Sequence, residues 1–315
     1  MSKVLRLFLG SLFCLLACST AWAAETPPLK LSASVAAGYD NNSFLNSARK
    51  EDAFSEETVN VRYRLPSTGI IHPQLEYHVL NADYFEATDQ NVLWQEACAN
   101  ADIALDRSTV LETDYEFEYV YFPNDESVTS YDHKGRVGIL RQVTKPLRFG
   151  AGFSAGHRHF EKNFIRQANR LLSPIDERED KRYTIDTELS YTFWDNKVLK
   201  AGYVHFWNDS NYTFQDFYDE ESDKFYLALG TQFFFKWFAI FKFSYERLDY
   251  ESRPLENDDF TFEVDDLYTT TASFYYQINK AASVGINCSY RQKYSNEPVQ
   301  EYSGFLTTLG FYYSF

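Results

Sequence analysis

Four carboxylates stand at alternate positions in one run, Glu112, Asp114, Glu116 and Glu118, interleaved with Leu111, Thr113, Tyr115, Phe117 and Tyr119. Spacing by two puts the acids on one face of a strand and the apolar groups on the other. Such a stripe either attracts cations or is neutralised by cations on the next strand. Lys134 and Arg136, two apart on the following run, supply the second option. A hairpin keeps face against face, so two pairings are open. One opposes Glu118 with Lys134 and Glu116 with Arg136; the other opposes Glu116 with Lys134 and Asp114 with Arg136. A turn at 106–108 sets Asp102 near Glu112, a like-charge pair that is unfavourable without a counter-ion. Arg62 and Arg64 on an earlier run, and Arg148 and Arg158 on a later one, add positive charge to the same phase. Opposed acidic and basic walls create a transverse field.

Catalytic and metal patterns are missing from the sequence. The 6 His include no HExxH and no paired-ligand spacing, and there is no GxSxG, Walker motif or GxGxxG. His205 with Ser210, or Asp132 with His133, can be set side by side, but no pattern selects them. No catalytic residue, metal or cofactor is therefore expected, and the chain is not expected to be an enzyme. Two clusters of acids, Asp209, Asp216, Asp219, Glu220, Glu221 and Glu251, Glu256, Asp258, Asp259, Glu263, lack EF-hand spacing and are expected on solvated loops, although oxygen ligands suit divalent cations. Cys98 shares its phase with Asn100 and Asp102, whereas Cys288 shares its phase with Ile286 and Tyr290. Opposite faces argue against a disulfide between them.

Composition bounds the class. The chain has 315 residues, 18% aromatic (24 Tyr, 28 Phe, 5 Trp), with a formal net charge of −15 and a polar mean hydropathy of −0.43. Disordered chains lack this aromatic content. Four cysteines are too few for a disulfide-knit mini-domain, and phosphate binding needs the opposite charge, so no nucleic-acid partner is expected. No apolar stretch approaches the ~20 residues of a membrane helix after the N-terminus; Phe233 to Phe243 is short and contains Lys236 and Lys242.

The N-terminal segment 1–23 has the layout of a secretory signal: Lys3 and Arg6, an apolar run from Leu7 to Leu16, then Ala21-Trp22-Ala23. Two other readings are a membrane-anchored helix, for which the apolar run is short, and lipidation at Cys18, where Leu16 fits poorly. Cleavage near Ala23 leaves 24–315 as one domain.

Period-2 alternation recurs along that domain in fourteen segments: 29–39, 54–65, 70–84, 92–105, 109–122, 129–143, 147–159, 182–193, 198–207, 223–235, 238–250, 264–278, 281–293 and 301–315. Soluble strands average about 5–6 residues, whereas a tilted membrane-crossing strand needs about 9–11 plus overhang. The connections alternate without exception between long (40–53, 85–91, 123–128, 160–181, 208–222, 251–263, 294–300) and short (66–69, 106–108, 144–146, 194–197, 236–237, 279–280). A soluble sandwich has no reason to sort its loops by parity. The expected fold is all-β: a transmembrane antiparallel up-and-down β-barrel of about fourteen strands, with long external loops and short periplasmic turns. Its polar phase lines the lumen, with Arg62, Arg64, Asp102, Glu112, Asp114, Glu116, Glu118, Lys134, Arg136 and Arg148 as lining residues. Segment 160–181, with a possible helical period from Phe164 to Leu172, either plugs the lumen or projects as a solvated loop.

The chain ends Gly310-Phe311-Tyr312-Tyr313-Ser314-Phe315, which resembles the C-terminal signal of bacterial outer-membrane barrels. That resemblance implies that Phe311, Tyr313 and Phe315 are read by the barrel-assembly machinery. Ala37-Gly38-Tyr39-Asp40-Asn41-Asn42-Ser43-Phe44 is similar to the opening segment of polysaccharide-associated barrels, among them the family called β-barrel porin 2 and the barrels of surface lipoprotein assembly modifiers. The implied setting is the outer membrane of a Gram-negative-type bacterium, with lipid and lipopolysaccharide as partners. The expected function is a porin-like channel for small hydrophilic solutes, with a link to envelope polysaccharide; the alternative is a non-conducting structural, assembly or adhesion barrel.

Overall fold

The computed structural model describes residues 28–46, 49–67, 69–166, 172–194, 197–213, 216–256 and 258–315. Segment 1–23, read from the sequence as a secretory signal, and the turn residues Thr68, Asp195 and Asn196 lie outside them. Fourteen strands follow one another: β1 (Leu29–Asp40), β2 (Asp52–Arg64), β3 (Ile71–Tyr84), β4 (Val92–Ala104), β5 (Thr109–Tyr121), β6 (Ser130–Gln142) and β7 (Leu147–Arg166). They continue as β8 (Leu172–Phe193), β9 (Lys197–Ser210), β10 (Glu220–Phe233), β11 (Trp237–Leu255), β12 (Asp258–Gln277), β13 (Ala282–Ser295) and β14 (Tyr302–Ser314). Each pairs antiparallel with the next, and β14 returns to β1 from Ser32↔Ser314 to Asp40↔Leu306, closing the barrel. Closure leaves no strand edge, as an element surrounded by hydrocarbon requires.

The alternation sorts the side chains into two surfaces. Val35, Leu75, Phe153, Phe225 and Leu309 stand exposed on the outer face, where hydrocarbon covers them. The short turns continue this apolar surface: Leu65, Leu105, Val143 and Ile278 are exposed, Trp194 is 73% exposed and Phe235 97%. Aromatic groups this open suit the membrane–water interface rather than bulk water, so the short turns lie at the membrane boundary.

The strands run further than the sequence reading at the other end. β7, β8, β11 and β12 span 20, 22, 19 and 20 residues, and they absorb most of 160–181 and 251–263. The possible helical period from Phe164 to Leu172 is strand where it is described, with Phe164 paired to Glu177 and Arg166 to Leu172, and its residues 167–171 lie outside the described residues. The register shifts between His159 and Phe164, with Lys162 at φ 55°. This bulge breaks the period of two, which is why the segment mimics a helical spacing. The hairpin is held from both sides. Asn163 donates to the Ser127 carbonyl at 3.1 Å, and Asn211 donates to the Glu177 carbonyl at 3.0 Å. Arg178 stacks on Tyr218, 3.5 Å from the ring centre. The described part of 160–181 is therefore an extension of the wall and not a plug.

Several lumen-facing glycines let a long side chain cross the strand that carries them. Tyr226 on β10 reaches over Gly202 on β9 to donate to Glu188 on β8 at 2.9 Å. A Cβ on Gly202 would sit 2.3 Å from the Tyr226 ring, whereas Gly230 has nothing within 4 Å. Gly202→Val is expected to cost about 1–3 kcal/mol of unfolding free energy by overpacking. Gly230→Val, which gains strand propensity without a clash, is expected to be neutral or stabilising. Urea titration of the folded barrel in vesicles measures both.

Candidate functional site

The charged lumen wall is built by β4 to β8. Of the two pairings open in the sequence, the second forms: Glu116 faces Lys134 and Asp114 faces Arg136. Lys134 Nζ lies 2.8 Å from Glu116. Arg136 is the hub. Its guanidinium reaches Glu112 at 3.3 Å and Asp114 at 3.5 Å on β5, and Asp186 at 3.0 Å on β8. It spans that width because Gly138 and Gly152 have no side chain to block it; a Cβ on Gly152 would lie 2.4 Å from an Arg136 nitrogen. The planar fork, with five donors, suits such a shared position better than a lysine would.

The other expected lining residues are distributed around the same face. Arg62 pairs with Glu76 at 3.1 Å, Arg158 with Glu118 at 2.7 Å, and Arg148 donates to Gln142 at 3.4 Å. Asp102 stands directly opposite Glu112. Among the described residues, Asp102 and Arg64 have no ion-pair partner, and both line a cavity of about 600 Å³ with Glu112, Asp114 and Arg136. On the opposite side of the lumen a second cavity, of about 450 Å³, is lined by neutral and aromatic groups of β11 to β14, β1 and β2.

A second level of charge, near the ends of the strands that lead into the long connections, escaped the sequence reading. Asp40, Asp132, Asp180, Glu263 and Asp265 are buried on the lumen phase. Asp40 pairs with Arg291 at 3.3 Å, Asp132 with Arg158 at 3.5 Å, Glu263 with Arg253 at 3.5 Å, and Asp265 with Lys293 at 2.5 Å. Asp52 accepts from the Glu86 and Ala87 backbone N–H groups at 2.8 and 2.7 Å. Glu263, expected on a solvated loop, is instead 2% exposed within β12. The reason is strand extension: once β11 and β12 lengthen, the phase carries it into the lumen. The signal available was the continuation of alternation past each strand end, with an acid on the polar phase.

The remaining chemical groups are separated by the wall. His133 shares the outer phase with Tyr115, whose hydroxyl lies 2.7 Å from its Nδ1, while Asp132 points inward. His205 lies on the outer phase with Asp223 at 2.9 Å, opposite to Ser210. Neither pair meets. Cys98 and Cys288 are free thiols on opposite faces. Ligand atoms of Glu96, Cys98 and Glu116 lie within 4.8 Å of one another, but Lys134 already neutralises Glu116.

Two perturbations test these interactions. Arg136→Ala strands three carboxylates and is expected to remove ~1.5–3 kcal/mol of stability, the range for hydrogen bonds to charged groups; Arg136→Lys, which lacks the fork, restores only part of it in the same urea titration. Outside the membrane, burial pushes the Asp219 carboxyl up to about 6, helped by Asp216, Asp209 and Glu251 and opposed by the Ser210 N–H. The folded chain binds this proton more tightly than the unfolded one, so stability falls as pH rises from 3.8 to about 6 and is flat above. Asp219→Asn keeps the acceptor for Ser210 and is expected to abolish that slope in unfolding measured between pH 4 and 8.

No family model matches the chain, and no curated protein matches it in sequence. Solved structures match it in shape. The outer-membrane protein OmpT of Vibrio cholerae superposes with a TM-score of 0.55 at 10% identity, covering 93% of this chain and 100% of that one. The outer membrane channel DcaP of Acinetobacter baumannii gives 0.53 at 9% identity, over 91% and 96% of the two chains. An anion-selective porin from Comamonas acidovorans gives 0.50 at 8% identity, over 91% and 98%. At these identities the likeness is one of fold: the chain has the closed β-barrel architecture of outer-membrane proteins.

Proposed function

We propose that the protein is an outer-membrane, porin-like channel for hydrophilic solutes, without catalytic activity. The observation that carries this reading is the direction of the ion pairs and hydrogen bonds in the lumen. Arg136, Arg158 and Tyr226 reach sideways along the wall, over glycine or a single strand, instead of across the lumen. This leaves the cavities of about 600 and 450 Å³ open beside them. Opposed charge on the wall gives passing ions a field to follow.

The setting follows from the same reading. Export is through cleavage of 1–23, and insertion is through recognition of Phe311, Tyr313 and Phe315 by the barrel-assembly machinery. The Phe315 N–H donates to the Leu31 carbonyl at 2.8 Å, at the seam where β14 meets β1. Lipid and lipopolysaccharide contact the outer face; a link to envelope polysaccharide belongs to this proposal as well, and its test is whether polysaccharide-export genes lie beside the coding sequence.

One observation favours the alternative of a non-conducting barrel with a structural, assembly or adhesion role: the ring of Asp40, Asp132, Asp180, Glu263 and Asp265 is buried on the lumen side near the long connections. Single-channel recording in planar bilayers separates the two. A conducting barrel is expected to show steps that grow when Asp265→Asn and Lys293→Gln are combined to loosen the ring. Repeated insertions of folded, heat-modifiable protein without current establish the alternative. Removal of Phe315 is expected to lower the folded fraction in the outer membrane, read from heat-modifiable gel mobility.

A further inference from the structure

The half of the lumen nearer the short turns has two sectors of different chemistry. The sector from β2 to β6 carries Arg64, Asp102, Glu112, Asp114 and Arg136 around its cavity. The sector made by β11 to β14, β1 and β2 lines its cavity with mostly neutral groups, although Lys30, Arg62 and Lys242 share the lumen phase of the same strands. Its cavity of about 450 Å³ is lined by Phe238, Ile240, Tyr275, Tyr312, Asn60 and Gln277 among others. Lys280, in the turn, is the one charged residue on it among the described residues.

Phe238 and Ile240 are apolar groups on the lumen face, as are Trp94, Leu140 and Phe206, but those three are less exposed. Phe238 pairs with Gln232 and Tyr275, and Ile240 with Gly230 and Ser273, so both are on the lumen phase. They are 37% and 36% exposed, to water rather than to lipid. Neighbouring lumen positions use Lys242, Ser244 and Ser273, which avoid that cost. Beside them, two tyrosines are held against the wall. A Cβ on Gly285 would lie 2.4 Å from the Tyr275 ring, and one on Gly310 would lie 2.9 Å from the Tyr312 hydroxyl. Tyr275 donates to Asn287 at 2.8 Å, and Asn287 donates to the Tyr312 hydroxyl at 3.0 Å. Their rings meet at 72° with centres 5.5 Å apart. The sector therefore presents a preorganised apolar surface with neutral donors and acceptors at its edge.

The solute that matches must cover the apolar surface with a face of its own and satisfy the amides of Asn60 and Gln277 with hydroxyls. No carboxylate lines the cavity, which disfavours a cation, and the amides of Asn60 and Gln277 are neutral, which suits an uncharged partner. An inorganic ion lacks the face, and an aromatic hydrocarbon lacks the hydroxyls. A sugar ring has both, C–H groups on its face and hydroxyls around its rim. The volume lies within the ~300–1,000 Å³ range of small-molecule sites. We propose that this sector is a binding site for uncharged saccharides of one or two rings. Phe238, Ile240 and Tyr275 provide the surface, and Asn60 and Gln277 read the hydroxyls. The proposal rests on the channel reading, since an open lumen is how a sugar reaches the site.

The test uses the folded, full-length barrel with glucose and maltose as probes. Binding is followed by calorimetry in detergent and by interruptions of single-channel current. Phe238→Ala is expected to weaken maltose binding at least about fivefold, in line with loss of one aromatic contact, while Phe238→Tyr retains it. Arg64→Gln and Asp102→Asn, in the other sector, are expected to change it less than twofold. Heat-modifiable mobility confirms that each variant is folded. Absence of maltose binding overturns the proposal, as does binding that Phe238→Ala leaves unchanged, or binding of neutral aromatic compounds in preference to sugars. A barrel that conducts ions but binds no sugar removes this site and keeps the channel. One that binds sugar in detergent but never conducts keeps the site and removes the channel.

Discussion

Hydrocarbon offers no hydrogen-bond partner to a peptide group, and an unpaired one there costs several kcal/mol. Closure of β1 on β14, from Ser32↔Ser314 to Asp40↔Leu306, is the interaction on which the rest of this structure depends. With the ladder closed, no backbone edge faces lipid. Side-chain alternation then has only two destinations, the lipid and the lumen. The aromatic belt, the charged inner wall and the interfacial turns with Trp194 and Phe235 all follow from that division.

Within the lumen a second constraint acts. Many of the charged groups on the barrel's inner face pair along the wall. Glycine makes that geometry available. Gly152 lets Arg136 serve carboxylates on β5 and β8, Gly202 lets Tyr226 reach Glu188, and Gly285 lets Tyr275 lie beside Asn287. Two of these contacts, Arg136 to Asp186 and Tyr226 to Glu188, tie strands that are not sequence neighbours, so the inner surface is stiffened by the groups that line it. The Arg136 network gains further because one guanidinium answers three acids, and its ordering is shared among several bonds. At the level of the long connections the same logic is carried further, and Asp265 with Lys293 and Asp40 with Arg291 become buried pairs.

Much of this was legible from the chain alone. Fourteen alternating runs, parity-sorted connections and the phase of Glu112, Asp114, Glu116 and Glu118 carried through to the strands observed. The two cysteines were separable by phase without coordinates. The failures have one cause. Phe164 to Leu172 and Glu251 to Glu263 were read as loop or helix because a bulge or a register shift interrupts the alternation, although pairing continues past it. Local pattern reports where the period holds, not where hydrogen bonding resumes with a partner strand.

Sequence by itself determined the class of the protein, which residues face inward, and that Asp102 meets Glu112. Those properties depend on the two-residue period of a strand and on short turns, both local. Only the tertiary structure decided which of two registers joined β5 to β6. It also decided that Arg136 reaches Asp186, that acids near the strand ends form a buried ring, and that Phe238, Tyr275 and Asn60 share one cavity. These depend on closure and on the absence of a Cβ at particular crossings, which bring together strands that no local pattern relates.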